Sequence, residues 1–204
     1  MRNRSYAESW LKDFSDVFAK ADGKLLEPIN FTSSDEVVFS SLALRALSES
    51  PEGIIIIANS VDTAMLCESI RKLNSSIAIG AVEWASTGQL IELGGKSVEG
   101  IAVEHFFDQQ STQPHYLAFR DAYDKRFGQA PGFGSLYTFD AANVILDALE
   151  TEAPGQLLKQ TLLAKKIFTV TQRLVVFDSN GDSEGGSFIL IVKDGVFDPG
   201  RTAP

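Results

Sequence analysis

The sequence predicts an α/β fold built on a parallel, doubly wound sheet, and two observations carry the prediction. Short apolar segments of strand length alternate with helical segments through about the first hundred residues. One of these strands, at 54–58, is apolar on both faces, as is typical of a parallel strand covered by helices. The composition is that of a globular protein, with 44% hydrophobic and 22% charged residues.

The predicted elements of the first half follow in order. A helix near 5–21 precedes a strand at 24–31, and a second amphipathic helix precedes the strand at 54–58. Asp62 is expected to cap the helix after that strand. The pattern continues with a strand at 77–82, a helix near 87–93 and a strand near 100–107.

The second half has a different pattern. A polar crossing loop at 108–114 leads into two long helices at 114–127 and 134–149 and a shorter one near 156–163. These helices have no strands of their own, so we expect a sheet from elsewhere to cover them. Asn180-Gly181 lies between apolar runs at 173–177 and 187–192, which predicts a β-hairpin.

Composition excludes several classes of partner. The balance of 18 basic and 27 acidic residues gives a net charge of −9, which opposes binding to nucleic acid or anionic membranes. The single cysteine, Cys67, excludes an intramolecular disulfide and is expected to be a small buried hydrophobe. Gly94-Gly95-Lys96-Ser97 is not a phosphate loop, because Leu90 stands where that motif requires glycine.

Metal and catalytic motifs are also incomplete. A run of oxygen-bearing residues near the tail loosely resembles a calcium loop, but turn chemistry explains it with fewer assumptions; it comprises Asp178, Asn180, Asp182 and Glu184. His105 and His115 accompany no nucleophile or metal-ligand motif and are expected at the surface or at a hinge. We therefore predict no catalytic residue, no metal and no cofactor.

The ends of two strands carry the candidate binding residues. Parallel α/β sheets bind ligands beyond the carboxyl ends of their strands. One end here is followed by Asn59 and Ser60, and the other by Glu83 and Trp84. A carboxylate directly after a buried strand needs a cation, either a protein side chain or a ligand ammonium. Trp84 could line an apolar pocket or cap the core.

The order of several segments resembles the branched-chain amino-acid-binding family of ABC importers, over nearly the whole chain. The segments are Asn-Arg-Ser-Tyr (3–6), Ile-Ile-Ile-Ile-Ala-Asn-Ser (54–60), Glu-Trp-Ala-Ser-Thr (83–87), Leu-Gly-Gly-Lys-Ser-Val-Glu-Gly (93–100), Phe-Arg-Asp-Ala-Tyr-Asp-Lys-Arg-Phe-Gly-Gln-Ala-Pro (119–131), Tyr-Thr-Phe-Asp-Ala-Ala (137–142) and Phe-Asp-Ser-Asn-Gly-Asp (177–182). The resemblance implies a type I periplasmic-binding-protein fold with two lobes that close on a small amino acid.

The same resemblance implies roles for individual residues and segments. Glu83 matches the carboxylate that pairs with the ligand ammonium, and Tyr6 matches a cleft tyrosine. Ser60 falls where the family often has a tyrosine, and Trp84 replaces a small residue, so the pocket is expected to be reshaped. Residues 1–101 would form most of the second lobe, 108–185 the helical part of the first, and 186–204 a crossing strand and tail.

The resemblance also implies missing structure. The family's first lobe begins with about a hundred further residues, and the second lobe's first strand would precede this chain, so we expect a fragment or truncated form with an incomplete two-lobe architecture. The predicted function is that of a periplasmic or extracellular solute-binding protein, not an enzyme, working with an ABC permease. A homodimer through exposed sheet edges is a further expectation. Two alternatives are an extracellular sensor domain of a receptor and an enzyme on a flavodoxin-like sheet.

Overall fold

The computed structural model of the protein describes residues 3–34, 36–151, 155–183 and 188–198. Helices and strands alternate through the first half, and helices precede strands in the second. Their bounds are α1 Asn3–Lys20, α2 Phe39–Leu47, β1 Gly53–Ile56, α3 Ser60–Leu73, β2 Ala78–Ala81, α4 Gly88–Gly94, β3 Ala102–His105, α5 Pro114–Phe127, α6 Phe133–Thr151, α7 Leu158–Lys165, β4 Ile167–Thr169, β5 Leu174–Val176, β6 Phe188–Lys193 and β7 Val196–Asp198.

The main sheet has the strand order β1-β2-β3-β6-β7. Strands β1 and β2 are parallel, with Ile54 opposite Ile79 and Ile56 opposite Ala81. Their apolar, β-branched residues favour strands, and the connection between them is the helix α3, as a parallel pair requires. The predicted α/β fold with a mostly parallel sheet is confirmed.

The chain divides into two compact units. Unit 1 comprises residues 1–102 and 192–196, and unit 2 comprises residues 103–191 and 197–204. The assignment of segments to family lobes stays a prediction. Of the predicted tail at 186–204, residues 186–187 and 199–204 lie outside the described part of the chain.

The core of unit 1 forms around α3. This helix contacts both α2 and α4. Its buried face includes Ala64, Cys67 and Ile70, at the three-residue spacing that lies along one side of a helix. Cys67 is fully buried, as predicted, and desolvation raises the pKa of its thiol to about 12. The residue is therefore an uncharged part of the core.

Helix α1 and the segment after it are less well covered. None of the α1 side chains from residue 6 onward is buried, although Trp10, Phe14 and Phe18 stack in sequence along the helix. The strand predicted at 24–31 is wrong, because no part of this segment forms a β-ladder. A strand needs a partner, and Pro28 removes one backbone donor. Among the described residues, strand β1 lies at the edge of the main sheet, where its partner is β2.

Unit 2 contains two apolar clusters. One comprises Phe107, Tyr116, Phe119 and Leu136, and the other comprises Val144, Ala148, Phe168 and Val170. Apolar residues of α6 also remain at the surface: Ile145 is 43% exposed, Leu146 58% and Leu149 48%. Helix α6 thus has one face in the core and apolar side chains outside it.

The predicted hairpin between 173–177 and 187–192 is wrong. Strand β5 pairs antiparallel with the preceding β4, while β6 joins the main sheet. Strand β5 pairs with β4 because only residues 170–173 separate them, so closing this loop costs little entropy. The Val170 N–H donates to the Arg173 carbonyl across the turn. The Asn-Gly pair still makes a tight turn, closed by a bridge between Phe177 and Ser183.

The two histidines differ in environment. His115 is exposed, as expected, but His105 is only 1% exposed and packs against the rings of Phe107 and Phe197. The surface alternative is therefore wrong for His105, and the hinge alternative stays a prediction. Burial penalises the charged imidazolium and lowers its pKa to about 4. His105 is neutral at physiological pH.

Candidate functional site

The first side of the candidate site is the junction between β1 and α3. Asn59 is the N-cap of α3, and its Oδ1 accepts a hydrogen bond from the Asp62 backbone N–H at 2.9 Å. Its Nδ2 donates to the Asp62 carboxylate at 2.9 Å. The sequence predicted Asp62 as the cap of this helix, and that prediction is wrong. The N-cap is Asn59, and Asp62 supplies the backbone N–H that donates to Asn59. Both ends of the Asn59 amide are engaged within this turn.

The second side is the segment that leaves β2. Val82 is fully buried, and Glu83–Ala85 form a single 3₁₀ turn closed by a hydrogen bond from the Ser86 N–H to the Glu83 carbonyl. Glu83 and Trp84 thus lie on a tight turn directly after a core strand. That turn restricts the directions in which their side chains can point.

Ser60 joins the two sides. Its hydroxyl lies 2.6 Å from the Thr87 hydroxyl and 3.4 Å from the Trp84 carbonyl oxygen, to which it donates. Ser60 is 4% exposed. Its hydrogen-bonding groups are used inside the protein, so the start of α3 is connected directly to the turn that carries Glu83 and Trp84.

The two oxygens of the Glu83 carboxylate differ in their hydrogen bonding. Oε1 accepts a hydrogen bond from the Tyr6 hydroxyl of α1. Oε2 is inaccessible to solvent and has no hydrogen-bond partner within the described part of the chain. None of the ion pairs found within the described part of the chain involves Glu83. A buried acceptor without a donor is costly, and this oxygen is such an unsatisfied polar atom in the described part of the chain.

Tyr6 also stacks on Trp84. The ring centroids are 4.4 Å apart and the ring planes differ by 7°. Both side chains are partly exposed. We call this pair the aromatic slab. It lies beside the carboxylate because Trp84 follows Glu83 in the chain and Tyr6 donates to it.

The structure brings the five predicted residues into one connected neighbourhood. Tyr6, Glu83 and Trp84 touch one another, Ser60 contacts the Trp84 carbonyl, and Asn59 precedes Ser60. Their contact with a ligand stays a prediction. The sequence did not identify Thr87, because its hydrogen bond with Ser60 spans 27 positions and no local pattern indicates it.

The described ranges contain no group of three or more histidine, cysteine, aspartate or glutamate side chains placed to hold a metal ion. In the acidic turn, Asp178 Oδ1 accepts from the backbone N–H groups of Asn180, Gly181 and Asp182, and these bonds lower the pKa of Asp178. Glu184 lies outside the described residues. None of the helices in these ranges has the length and apolar character needed to cross a bilayer.

In parallel α/β sheets, small-molecule ligands bind beyond the carboxyl ends of the strands, where the polar and aromatic side chains described above lie. The chain belongs to the periplasmic binding protein family, whose family model matches residues 2–194. A search of the curated proteins found no match.

Solved structures of similar fold agree with this family. A leucine-binding protein, LivK, from Thermotoga maritima has 26% identity and a TM-score of 0.82 over 91% of this chain and 53% of its own. A substrate-binding protein of an ABC transporter from Desulfitobacterium hafniense, complexed with Leu, has 20% identity and a TM-score of 0.74, covering 95% of this chain and 56% of its own. LivJ from Streptococcus pneumoniae, complexed with isoleucine, has 14% identity and a TM-score of 0.77, covering 91% and 54%.

This chain therefore spans about half the length of these structures, and it has the type I periplasmic-binding-protein fold.

Proposed function

We propose that this chain is the substrate-binding component, or part of the substrate-binding component, of an ABC importer for an amino acid or a related amine. The observation that carries the proposal is the buried Oε2 of Glu83, which has no hydrogen-bond partner in the described part of the chain. A ligand ammonium would supply both the missing donor and a compensating positive charge. Tyr6 and Trp84 would contact the rest of the ligand.

The roles of the other two residues follow from their bonds. Asn59 and Ser60 are engaged within the protein, so they would shape the pocket by fixing the start of α3 and the Glu83–Trp84 turn. The site thus needs no reacting group. Binding followed by release to a permease in the membrane is the activity that such a site supports, without catalysis.

Membership of the periplasmic binding protein family supports a periplasmic or extracellular location and an ABC permease as partner. The leucine-binding protein LivK, at 26% identity, supports an amino acid as the ligand class. Positions 60 and 84 differ from the expected family pattern, and so the side-chain preference of the pocket would differ too.

Self-association is a further part of the proposal. Strand β1 lies at the sheet edge, and Ile55 on this strand is 41% exposed. Between Gly53 and Ala58 the chain carries no charge. Two copies could pair antiparallel through β1, with a two-fold axis relating the two strands. Glu52 of one copy would then lie opposite a neutral residue of the other copy, Ile57 or Ala58, so that no like charges meet. A second copy would satisfy the open backbone groups of this edge.

The binding proposal is tested by the variant Glu83→Gln in the 204-residue chain. Glutamine keeps the size and the acceptor for Tyr6 but removes the charge that holds a cation. Saturation-transfer NMR and calorimetry with a panel of L-amino acids would measure binding to the wild-type chain and to the variant. We expect the variant to lose about tenfold or more in affinity for every ligand that binds, because a charge-assisted bond contributes roughly 1.5–3 kcal/mol.

Glu92→Gln is the matched control, because Glu92 is an exposed carboxylate on α4. It should leave binding unchanged. Equal affinities for wild type and Glu83→Gln would remove Glu83 from the site. Absence of saturable binding to the wild-type chain would overturn the proposal for this chain alone.

A further inference from the structure

The aromatic slab is held rigidly on both sides. On the Tyr6 side, the hydroxyl donates to Glu83 Oε1 and so limits rotation of the ring about its attachment to α1. On the Trp84 side, the 3₁₀ turn and the Ser60 hydroxyl fix the backbone. Rings held parallel at 4.4 Å present a flat apolar surface that exists before a ligand arrives. Little ordering of the two rings is then left to be done at binding, although Glu83 Oε2 must become accessible before a ligand reaches it.

The carboxylate beside the slab specifies the polar part of a ligand. Glu83 Oε2 is a buried acceptor that lacks a donor in the described part of the chain. A primary or secondary ammonium carries N–H donors and satisfies it, whereas a quaternary ammonium does not. The neighbouring indole favours a cation of either kind, since a positive charge close to a tryptophan face is attracted by the ring quadrupole. The polar part is therefore an ammonium with hydrogens.

The slab specifies the apolar part. A planar ring can lie against a flat aromatic surface over its whole area, or meet its edge in a T-shaped contact. A branched aliphatic group touches the same surface through a few methyl groups. From this geometry we infer that the site takes an ammonium compound bearing an aromatic ring a short linker away, in preference to a branched aliphatic amine. The inference rests on the proposed function and adds the ligand class.

Two amines and one alcohol test the inference on the 204-residue chain. Phenethylamine carries the ring and the ammonium, isoamylamine carries a branched chain and the ammonium, and 2-phenylethanol carries the ring without the charge. Calorimetry or ligand-observed NMR gives the three affinities. We expect phenethylamine to bind roughly two- to tenfold more tightly than isoamylamine, the range of an aromatic pair beyond area burial. 2-Phenylethanol should bind more weakly than phenethylamine.

Variants assign the preference to the slab. Trp84→Leu should bring the two amines to equal affinity, while Trp84→Phe keeps a ring and should retain a preference. Trp10→Leu is the control, since Trp10 stacks on Phe14 and is not part of the aromatic slab. Circular dichroism checks that each variant folds, and Trp84→Met, which also lacks a ring, replaces Trp84→Leu if that variant does not fold.

The outcomes separate the two proposals. If isoamylamine binds wild type as tightly as phenethylamine while Glu83→Gln weakens both, the aromatic preference is wrong and the cation site stands. If Glu83→Gln leaves both amines unaffected, the cation site is wrong and the inference falls with it. A preference that survives in Trp84→Leu would show that the slab is not its source.

Discussion

The hydroxyl groups of Ser60 and Thr87 lie 2.6 Å apart and connect the first residue of α3 to the segment after β2. Because Ser60 is 4% exposed, water cannot readily replace the bond. We predict that Ser60→Ala lowers the free energy of unfolding by about 1–2 kcal/mol, since Thr87 loses a partner at a mostly buried position. Urea denaturation followed by circular dichroism measures the change.

Ser75→Ala is the control for this prediction, because Ser75 is exposed in the turn after α3. It should change stability by less than about 0.5 kcal/mol. Equal stabilities for Ser60→Ala and Ser75→Ala would show that the Ser60–Thr87 contact contributes nothing to folding.

His105 predicts a loss of stability in mild acid. Burial lowers its pKa from 6.5 to about 4, so the folded protein binds fewer protons than the unfolded chain between these values. The stability contributed by neutral His105 is complete above pH 6.5 and declines as the pH falls towards 4. The full effect is about 3 kcal/mol. Urea midpoints across this range should fall more steeply in wild type than in His105→Phe, which cannot titrate.

The exposed histidine provides the comparison. His115→Gln removes a titrating group from the surface and should keep the pH dependence of wild type. If His105→Phe and wild type show parallel pH profiles, His105 does not contribute to acid sensitivity.

The open edge of β1 predicts concentration-dependent association. Ile55 is 41% exposed, so Ile55→Lys places a charge on the surface of this edge strand. A charge on an edge strand opposes pairing with another strand. We expect the wild-type chain to form dimers in sedimentation velocity and Ile55→Lys to be monomeric at the same concentration. Met65→Lys, at a residue 40% exposed on α3, should still associate.

Wild type that stays monomeric at all accessible concentrations would rule out pairing through β1. Dimers that persist in Ile55→Lys but disappear in Met65→Lys would assign the contact to α3 instead.

Cys67 predicts a thiol that resists labelling. It is fully buried and its pKa is raised to about 12, so neither exposure nor a thiolate is available in the folded state. At about pH 8, a thiol reagent should react with the native chain only as fast as it unfolds. In urea the single thiol should react completely within minutes. Rapid stoichiometric labelling of native protein would contradict the buried position.

Local patterns predicted the elements whose partners are close in the chain. Helix α5 has the predicted bounds, 114–127, because a proline starts it and Gly128 ends it. The 24–31 segment was predicted wrongly, since its pattern is that of a strand but strand formation requires a partner that periodicity cannot reveal. The hairpin failed for a related reason. Strand β4 has only three residues, too few for a recognisable pattern, and it takes β5 as its partner.

The site residues also differ in how far they could be predicted from local sequence. Glu83 and Trp84 could be found because a polar residue directly after a buried strand stands out in the sequence. The contact of Tyr6 with Glu83 spans 77 positions, and no spacing rule predicts it. Tyr6 itself was named only through the family resemblance, which implied a cleft tyrosine at this position. The Ser60–Thr87 link and the capping of Asp62 by Asn59 depend on side-chain directions, which the sequence does not give.

Unit 1 has an unusual chain path, since its last part, residues 192–196, comes after nearly all of unit 2. Glu99 holds this part in place by accepting hydrogen bonds from the Asp194 and Gly195 backbone N–H groups, 95 and 96 positions away. During synthesis, unit 1 therefore cannot be completed until residues 192–196 have left the ribosome, after nearly all of unit 2. Proteins whose contacts are this distant along the sequence fold slowly. The contacts that complete unit 1 are accordingly expected to form later than its local helices.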